Sequence, residues 1–235
     1  MTSDDFRRNA ILGQLPEREY ARMRPHLRLE QTRLKQSGYE PHTPIADVYF
    51  PLSSVFSLVA VTDRRIAVEV ATIGHEGMVG LPVYLGAATS PQASFCQIAG
   101  ETARISVADF QEALSGDGAL HQLLNRYTQA TMVQVAQNVV CNSTHPTDAR
   151  MARWLLTTQD RVGANDMLMT QEFLSQMLGV HRPTVSETAQ RIQEQGMMRY
   201  SRGTITILNR PALEEMACEC YRIVRAEFDA IRNFT

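Results

Sequence analysis

The stretch MTQEFLSQMLGVHRPTVSETAQRIQEQGMMRYSRGTITIL, residues Met169 to Leu208, decides how this chain is read. Thr170 stands where an N-cap side chain accepts the first free N–H groups of a helix. Phe173, Leu174, Met177 and Leu178 recur at helical spacing and give that helix one apolar side. Gly179 supplies the left-handed residue that ends it. His181-Arg182-Pro183 starts a second helix, since Pro in the first turn forfeits no intrahelical N–H. Val185, Ala189 and Ile192 form its buried side. "MMRY", the loop "SRG" with Gly203, and "TITIL" read as two strands joined by a three-residue loop. Helix, glycine turn, helix and basic hairpin have the spacing of a winged helix-turn-helix, whose second helix fits the major groove. One position departs from the pattern: Thr188, where such a motif usually buries an aliphatic.

Which side chains could read DNA follows from their chemistry. The solvent side of the second helix offers Arg182, Thr184, Ser186, Glu187, Gln190 and Arg191, with His181 at its start. Thr170 and Gln171 open the first helix, and Arg199, Tyr200, Ser201 and Arg202 cluster at the hairpin tip. An Arg fork matches guanine O6 and N7, Glu accepts from cytosine N4, and Thr or Ser suits phosphate. The expectation is a base contact from Arg182, a neighbouring base chosen by Glu187, and phosphate contacts from Arg199 and Arg202. Between Pro146 and Arg210 there are eight Arg against six acidic residues, a modest surplus for a polyanionic partner. The competing reading is a three-helix packing unit with a solvated face.

Upstream, "DARMARWLLTTQD" reads as a helix burying Met151, Trp154 and Leu155, and "NSTHPTD" breaks the chain before it at Pro146. From Val107 a helical period runs to about Asn142, with Leu120, Leu124, Tyr127, Thr131, Val135 and Val139 as a long stripe. Too long to hide against a small barrel, the stripe is expected to pair with a second copy of the chain. Residues 47 to 106 hold short β-branched and aromatic runs parted by Pro, Gly and Asp-Arg turns, as in a small sandwich or barrel. Before them, "ILGQLPEREYARMRPHL" reads as helix on Ile11, Leu12, Leu15 and Tyr20, and the tail after Arg210 as amphipathic helix. The expected division is a barrel over 1–116, a dimerisation helix and hinge over 117–145, and the DNA-binding domain over 146–235.

Composition narrows the classes without choosing among them. The 235 residues are 44% hydrophobic and 20% charged with net charge −2, which fits a folded chain and excludes no partner. The start, "MTSDDFRRNAILGQLPERE", has no apolar run of signal-peptide length, and charges interrupt every later apolar stretch. A cytoplasmic protein with no membrane partner is expected. Lys35 is the single lysine, so nearly all positive charge is carried by planar Arg. Cys96, Cys141, Cys218 and Cys220 are too few for a disulfide framework at this length. Cys218 and Cys220, read as lying on one helix, would point about 200° apart. The six histidines show no His-x-His or His-x-x-x-His spacing, which weakens the rival reading of a metal-dependent cupin-type enzyme on the same barrel. A protein-interaction module is the other alternative. No metal and no cofactor are expected.

With "GHEGMVGLPVYLG" in front, then "THPTDARMARWLL" and "TQEFLSQMLGVHRPTVSETAQRIQEQGMM", nearly the whole chain resembles the CRP/FNR family of bacterial transcription regulators. The resemblance implies an α+β fold: a double-stranded β-helix barrel like a cyclic-nucleotide-binding domain, a long dimerisation helix and a winged helix-turn-helix. It implies a homodimer on double-stranded operator DNA, RNA polymerase as a further partner and an unidentified small-molecule effector, and no enzymatic activity. Arg182 matches a base-contacting position of the family, and His181 and Thr184 match positions near phosphates. Pro183 and Glu187 stand where well-known members carry Glu and Arg, so their operator does not carry over. In members that bind cyclic AMP, Glu and Arg-Ser hold the ribose and phosphate; here Met78 replaces the Glu and "SPQAS" offers no Arg. A phosphate buried there would go unpaired, so the nucleotide site reads as lost, with Gly77 and Gly80 kept as turn residues. Members with an oxygen-sensing iron–sulfur cluster gather cysteines near the N-terminus, and this chain has none before Cys96.

Overall fold

A computed structural model of the chain describes residues 5–61, 67–115 and 118–233. The N-terminal helical stretch is two short helices, α1 (Ala10–Gln14) and α2 (Glu17–Met23), parted at Leu15-Pro16. Asn9 accepts from the Ile11 and Leu12 N–H groups as the cap of α1, and its amide donates to the carbonyls of Pro51 and Gly77. That one side chain ties the N-terminus to the barrel. Ile11, Leu12 and Leu15 are buried as their spacing required, whereas Tyr20 is half-buried.

The barrel strands are β1 (Arg28–Thr32), β2 (Ser37–Tyr39), β3 (Asp47–Pro51), β4 (Val55–Val61), β5 (Ala67–Ile73), β6 (Ala93–Ile98) and β7 (Gly100–Ser106), with a one-turn helix α3 (Leu81–Tyr84) before β6. They form two antiparallel sheets, β1-β7-β3 and β2-β6-β4-β5. Tyr49 packs on Phe56, and Phe50 on Phe110, with ring centroids 5.9 and 6.3 Å apart. β1 and β2 extend the β region upstream of where sequence placed its start. Their residues are mostly polar, and pairing alone makes them strand, Arg28 opposite Arg104 through Thr32 opposite Gly100. The expected Asp-Arg turn falls at residues 63–64, outside the described residues.

Of the two glycines expected in turns, Gly80 has φ 111° and caps α3. Gly77 is needed for a different reason: a Cβ there would lie 2.3 Å from the Tyr127 ring. Tyr127 donates to the Met78 carbonyl at 2.8 Å, and Met78 is fully buried. Met78, expected from the resemblance to stand where nucleotide-binding relatives carry a Glu, is a core residue.

The helical run after Val107 is divided into α4 (Val107–Ala113), capped by Ser106, and α5 (Ala119–Thr144). The expected pairing stripe is largely spent inside one chain. Leu120, Leu124 and Tyr127 are 3%, 0% and 1% exposed in the chain's own core, and Thr131 is 8% exposed. Helical periodicity marks a buried side without saying who buries it. Here the barrel and the last helix, α10 (Cys220–Arg232), do so; Val224, Phe228 and Ile231 of α10 join the barrel core. Val135 is half-buried, and of the stripe only Val139, at 64%, faces outward.

Pro146 caps α6 (Thr147–Val162), which buries Met151, Trp154 and Leu155. Then follow β8 (Asp166–Leu168), α7 (Gln171–Leu178), α8 (Arg182–Glu194), β9 (Met198–Ser201), β10 (Thr204–Ile207) and α9 (Arg210–Met216). β8, β10 and β9 form a small antiparallel sheet in that order. β8, three residues long, was not read from sequence. The hairpin has a two-residue turn, Arg202 (φ 51°) and Gly203 (φ 78°), rather than three, because Ser201 pairs with Thr204. The tail is two helices, α9 and α10, interrupted at Ala217–Glu219. No described helix is long and apolar enough to cross a membrane.

Candidate nucleic-acid interface

The two helices of the motif form where local signals place them. Thr170 accepts from the Phe173 N–H at 3.1 Å, and Gly179 ends α7 with φ 61°. Arg182 and Pro183 open α8 after His181, whose side chain makes no capping bond. Leu174, Leu178, Val185, Ala189 and Ile192 are buried between the helices and the sheet. Thr188 is fully buried too, and its hydroxyl accepts from Arg191 Nη2 at 3.1 Å, which is how the core tolerates it.

The eight arginines separate sharply by position. Arg150 and Arg153 are buried, Arg150 on the Asn142 side chain and the Leu178 carbonyl and Arg153 on Cys141. Arg161 is buried against Glu76, Arg191 grips Asp148 at 2.5 and 3.1 Å, and Arg210 pairs with Asp160 at 2.7 Å. The remaining three, Arg182, Arg199 and Arg202, are exposed, and among the described residues their guanidinium groups have no hydrogen-bond or ion-pair partner. They stand at the start of α8 and on the wing. Arg191, expected on the solvent side of its helix, is exposed there but engaged across the helices by Asp148, a partner 43 residues away.

Thr170, Gln171, Arg182, Tyr200, Arg202 and Gly203 line one open hollow at the junction of α7, α8 and the wing. Ser186 is half-buried and donates to Gln171 Oε1 at 2.9 Å, joining the starts of the two helices. Gln190 donates to Glu194 at 2.8 Å, and Glu187 projects to solvent. Thr184 is half-buried, and His181 and Ser201 are exposed beside this face. The arrangement offers two unpaired cations and a helix N-terminus to a phosphate, with a third cation on the wing strand. Of the predicted set, Arg191 is engaged by Asp148, Gln190 by Glu194, Thr170 by the Phe173 N–H, and Ser186 and Gln171 by each other.

The opposite side of α7 is docked on the barrel. Phe173 meets Phe95 and Trp154 edge-on, at 6.4 and 6.2 Å between centroids. Trp154 Nε1 donates to Glu69 Oε1 at 2.8 Å, and Ser57 and Thr72 surround the same carboxyl. Burial pushes the Glu69 carboxyl up despite these donors. A protonated Glu69 also fits the local inventory, since Ser57 has one proton and three neighbouring acceptors, Glu69 at 2.7 Å, Gln97 at 2.5 Å and Met177 Sδ at 3.6 Å. Nearby, Arg161 Nε meets Glu76 Oε1 at 2.5 Å, both side chains about 5% exposed or less. Burial works to raise Glu76, but Arg161 and the Gly74 N–H bring it below the usual carboxylate range. Neither pair is visible in the sequence, because each joins positions 85 residues apart.

Cys141 and His145 likewise stand far from Cys218 and Cys220 in the sequence. Cys218 precedes α10 rather than sharing a helix with Cys220, and the four ligand atoms lie within 4.8 Å of one another. The visible signal was the Cys141-x-x-x-His145 spacing, which puts both on one helix face.

Residues 149–216 match the family model of the Crp-like helix-turn-helix domain. No curated protein matches the sequence. Among solved structures, FixK2 of Bradyrhizobium japonicum is similar at 17% identity and TM-score 0.69, over 82% of this chain and 98% of that one. A CRP/FNR-family regulator of Thermus thermophilus gives 18% and 0.67 over 81% and 98%. The c-di-GMP-responsive global regulator of Xanthomonas campestris gives 16% and 0.65 over 82% and 99%. The chain thus carries a Crp-like helix-turn-helix domain, on the barrel, long-helix and winged-domain fold of the CRP/FNR family of transcription regulators.

Proposed function

We propose that the protein is a sequence-specific DNA-binding transcription regulator that acts as a homodimer, with α8 in the major groove. The carrying observation is the sorting of arginines: five of eight in the winged region are engaged within the chain, whereas Arg182 and Arg202 stand without partners in one hollow of α8 and the wing, and Arg199 is exposed on the wing strand. Unpaired guanidinium groups on one face are costless only in water, and a phosphate backbone is the partner that uses them together. Arg182, at the groove-entering end of α8, reads a guanine edge, and Glu187 one turn on selects a neighbouring base. Arg199 and Arg202 on the wing hold phosphate, as Thr170, Gln171 and His181 do at the helix starts.

Dimerisation uses the outer face of α5 rather than its buried stripe. Asn125, Gln129, Met132, Ala136, Val139 and Ser143 are all exposed and alternate at spacings of four and three, a seam for a parallel partner helix. Met132 and Val139 are each 64% exposed and Val140 44%. A two-fold axis along α5 would set two copies of α8 on successive major grooves. The cupin-type alternative finds no support in the barrel. Among the described residues, the one group of three or more His, Cys, Asp or Glu able to hold a metal lies at the junction of α5 with α9 and α10.

The test is selection of bound duplexes from a random-sequence pool by the purified protein. The reading expects a two-fold-related motif with half-sites about one helical turn apart. Recovery of no enriched motif would overturn it.

A further inference from the structure

At the end of α5 four side chains converge from two distant parts of the chain. Cys141 lies in the last turn of α5, His145 is its C-cap, and Cys218 and Cys220 flank the start of α10. Cys141 Sγ is 3.4 Å from Cys218 Sγ, and Cys220 Sγ is 3.7 Å from His145 Nδ1. All four donor atoms fall within 4.8 Å of one another. A tetrahedron with metal–sulfur bonds of about 2.3 Å and a metal–nitrogen bond of about 2.0 Å has edges of about 3.5–3.8 Å. The observed separations bracket those edges.

The surroundings match a metal centre beyond its ligands. His145 turns Nδ1 toward the cysteines and sets Nε2 3.3 Å from Glu219 Oε1, the carboxylate–histidine arrangement that fixes the tautomer of a metal-bound ring. Arg153 Nε donates to Cys141 Sγ at 3.2 Å. Three thiolates and a dication sum to one negative charge, which that guanidinium offsets. The cysteines are 0%, 8% and 1% exposed, so no coordination position opens to solvent, as in structural rather than catalytic sites.

We propose that Cys141, His145, Cys218 and Cys220 form a closed tetrahedral site for one zinc-class divalent cation. Loading breaks three S–H bonds and releases three protons to solvent, as three metal–sulfur bonds and one metal–nitrogen bond form. The ion cross-links the end of α5 to the α9–α10 connection beside Pro146, and so fixes how α6 leaves the long helix. The competing chemistry is a Cys141–Cys218 disulfide. It requires an oxidant and an approach from 3.4 Å to about 2.05 Å, and it leaves the inward-facing His145 and Cys220 without a role.

The experiment uses the full chain purified under reducing conditions, with zinc measured by elemental analysis and cobalt(II) titrated into metal-free protein. One zinc per chain is expected, with cobalt giving the thiolate charge-transfer and tetrahedral ligand-field absorption. Cys220→Ser should abolish that spectrum, and Cys96→Ser, which changes the buried barrel cysteine outside the site, should retain it. Glu219→Gln alters an exposed side chain, 58% accessible, that a folded protein tolerates. It should keep the tetrahedral spectrum while weakening cobalt affinity about 10–100-fold. Absence of cobalt binding in folded wild-type protein, full binding by Cys220→Ser, unchanged affinity in Glu219→Gln, or isolation as the Cys141–Cys218 disulfide would each overturn the proposal.

Discussion

Arg161→Met removes the cationic half of a pair whose side chains are 4% and 5% exposed and whose atoms stand 2.5 Å apart. Glu76 then stays buried with the Gly74 N–H, 3.0 Å away, as its main remaining donor. Stranding one member of a buried ion pair costs about 3–5 kcal/mol, a large share of the roughly 5–15 kcal/mol that holds a domain folded. The cost depends on pH in a definite direction. In the native chain burial acts to raise the Glu76 carboxyl, but Arg161 first and then Gly74 outweigh it, so its folded value is depressed. That contribution is present above the ordinary carboxylate range and is lost as pH falls through the folded value. Without Arg161 the largest influence opposing burial is gone and the folded value rises, so the penalty is largest near pH ~7 and shrinks toward pH ~5 as the carboxyl protonates. Urea unfolding followed by the fluorescence of Trp154, the single tryptophan, reports on this junction directly. Glu76→Leu combined with Arg161→Met should recover most of the loss, since an apolar pair avoids both desolvation penalties. A loss under about 1 kcal/mol, or one equal at pH ~5 and pH ~7, would refute the reasoning.

Glu69 predicts the opposite pH trend. Its raised carboxyl stabilises the fold below the ordinary carboxylate range and progressively less as pH rises toward the folded value, so Glu69→Gln should gain stability relative to wild type between pH ~4 and pH ~7; a constant difference in paired urea titrations would count against a neutral Glu69. Arg191→Ala should leave stability nearly unchanged, its pair with Asp148 being exposed and screened by water, and affect DNA affinity less than Arg182→Ala does, as thermal unfolding and anisotropy would show. Met132→Glu with Val139→Glu places charge on the exposed seam of α5 and should yield a folded monomer in sedimentation analysis, because both positions are 64% exposed within the chain; an unchanged dimer would move the interface elsewhere.

The helix-turn-helix was legible because its signals are local. Thr170, Gly179 and Pro183 each act on backbone groups within a few residues, and the structure uses all three as their chemistry dictates. What was hidden lies in pairings between distant segments. β1 is polar and becomes strand only against β7, and three-residue β8 only against β10. The α5 stripe announced burial, yet periodicity could not tell a second copy of α5 from this chain's own α10, some 90 residues on. Arg191 looked free on its helix because Asp148 belongs to another. Cys141 and His145 share a helix face in sequence, but only the fold delivers Cys218 and Cys220 to them.

The central claim is that α8 reads base sequence while the wing supplies charge, and duplex titrations of Arg182→Ala and Arg202→Ala at several salt concentrations test it most directly. On the selected operator Arg182→Ala should lose about 1–3 kcal/mol per half-site, with little change on a scrambled duplex of equal length. Arg202→Ala should weaken both duplexes alike and reduce the slope of log affinity against log salt by about 1 per protomer. Equal losses on operator and scrambled DNA for Arg182→Ala, with the salt slope untouched by Arg202→Ala, would contradict the assignment of sequence recognition to α8.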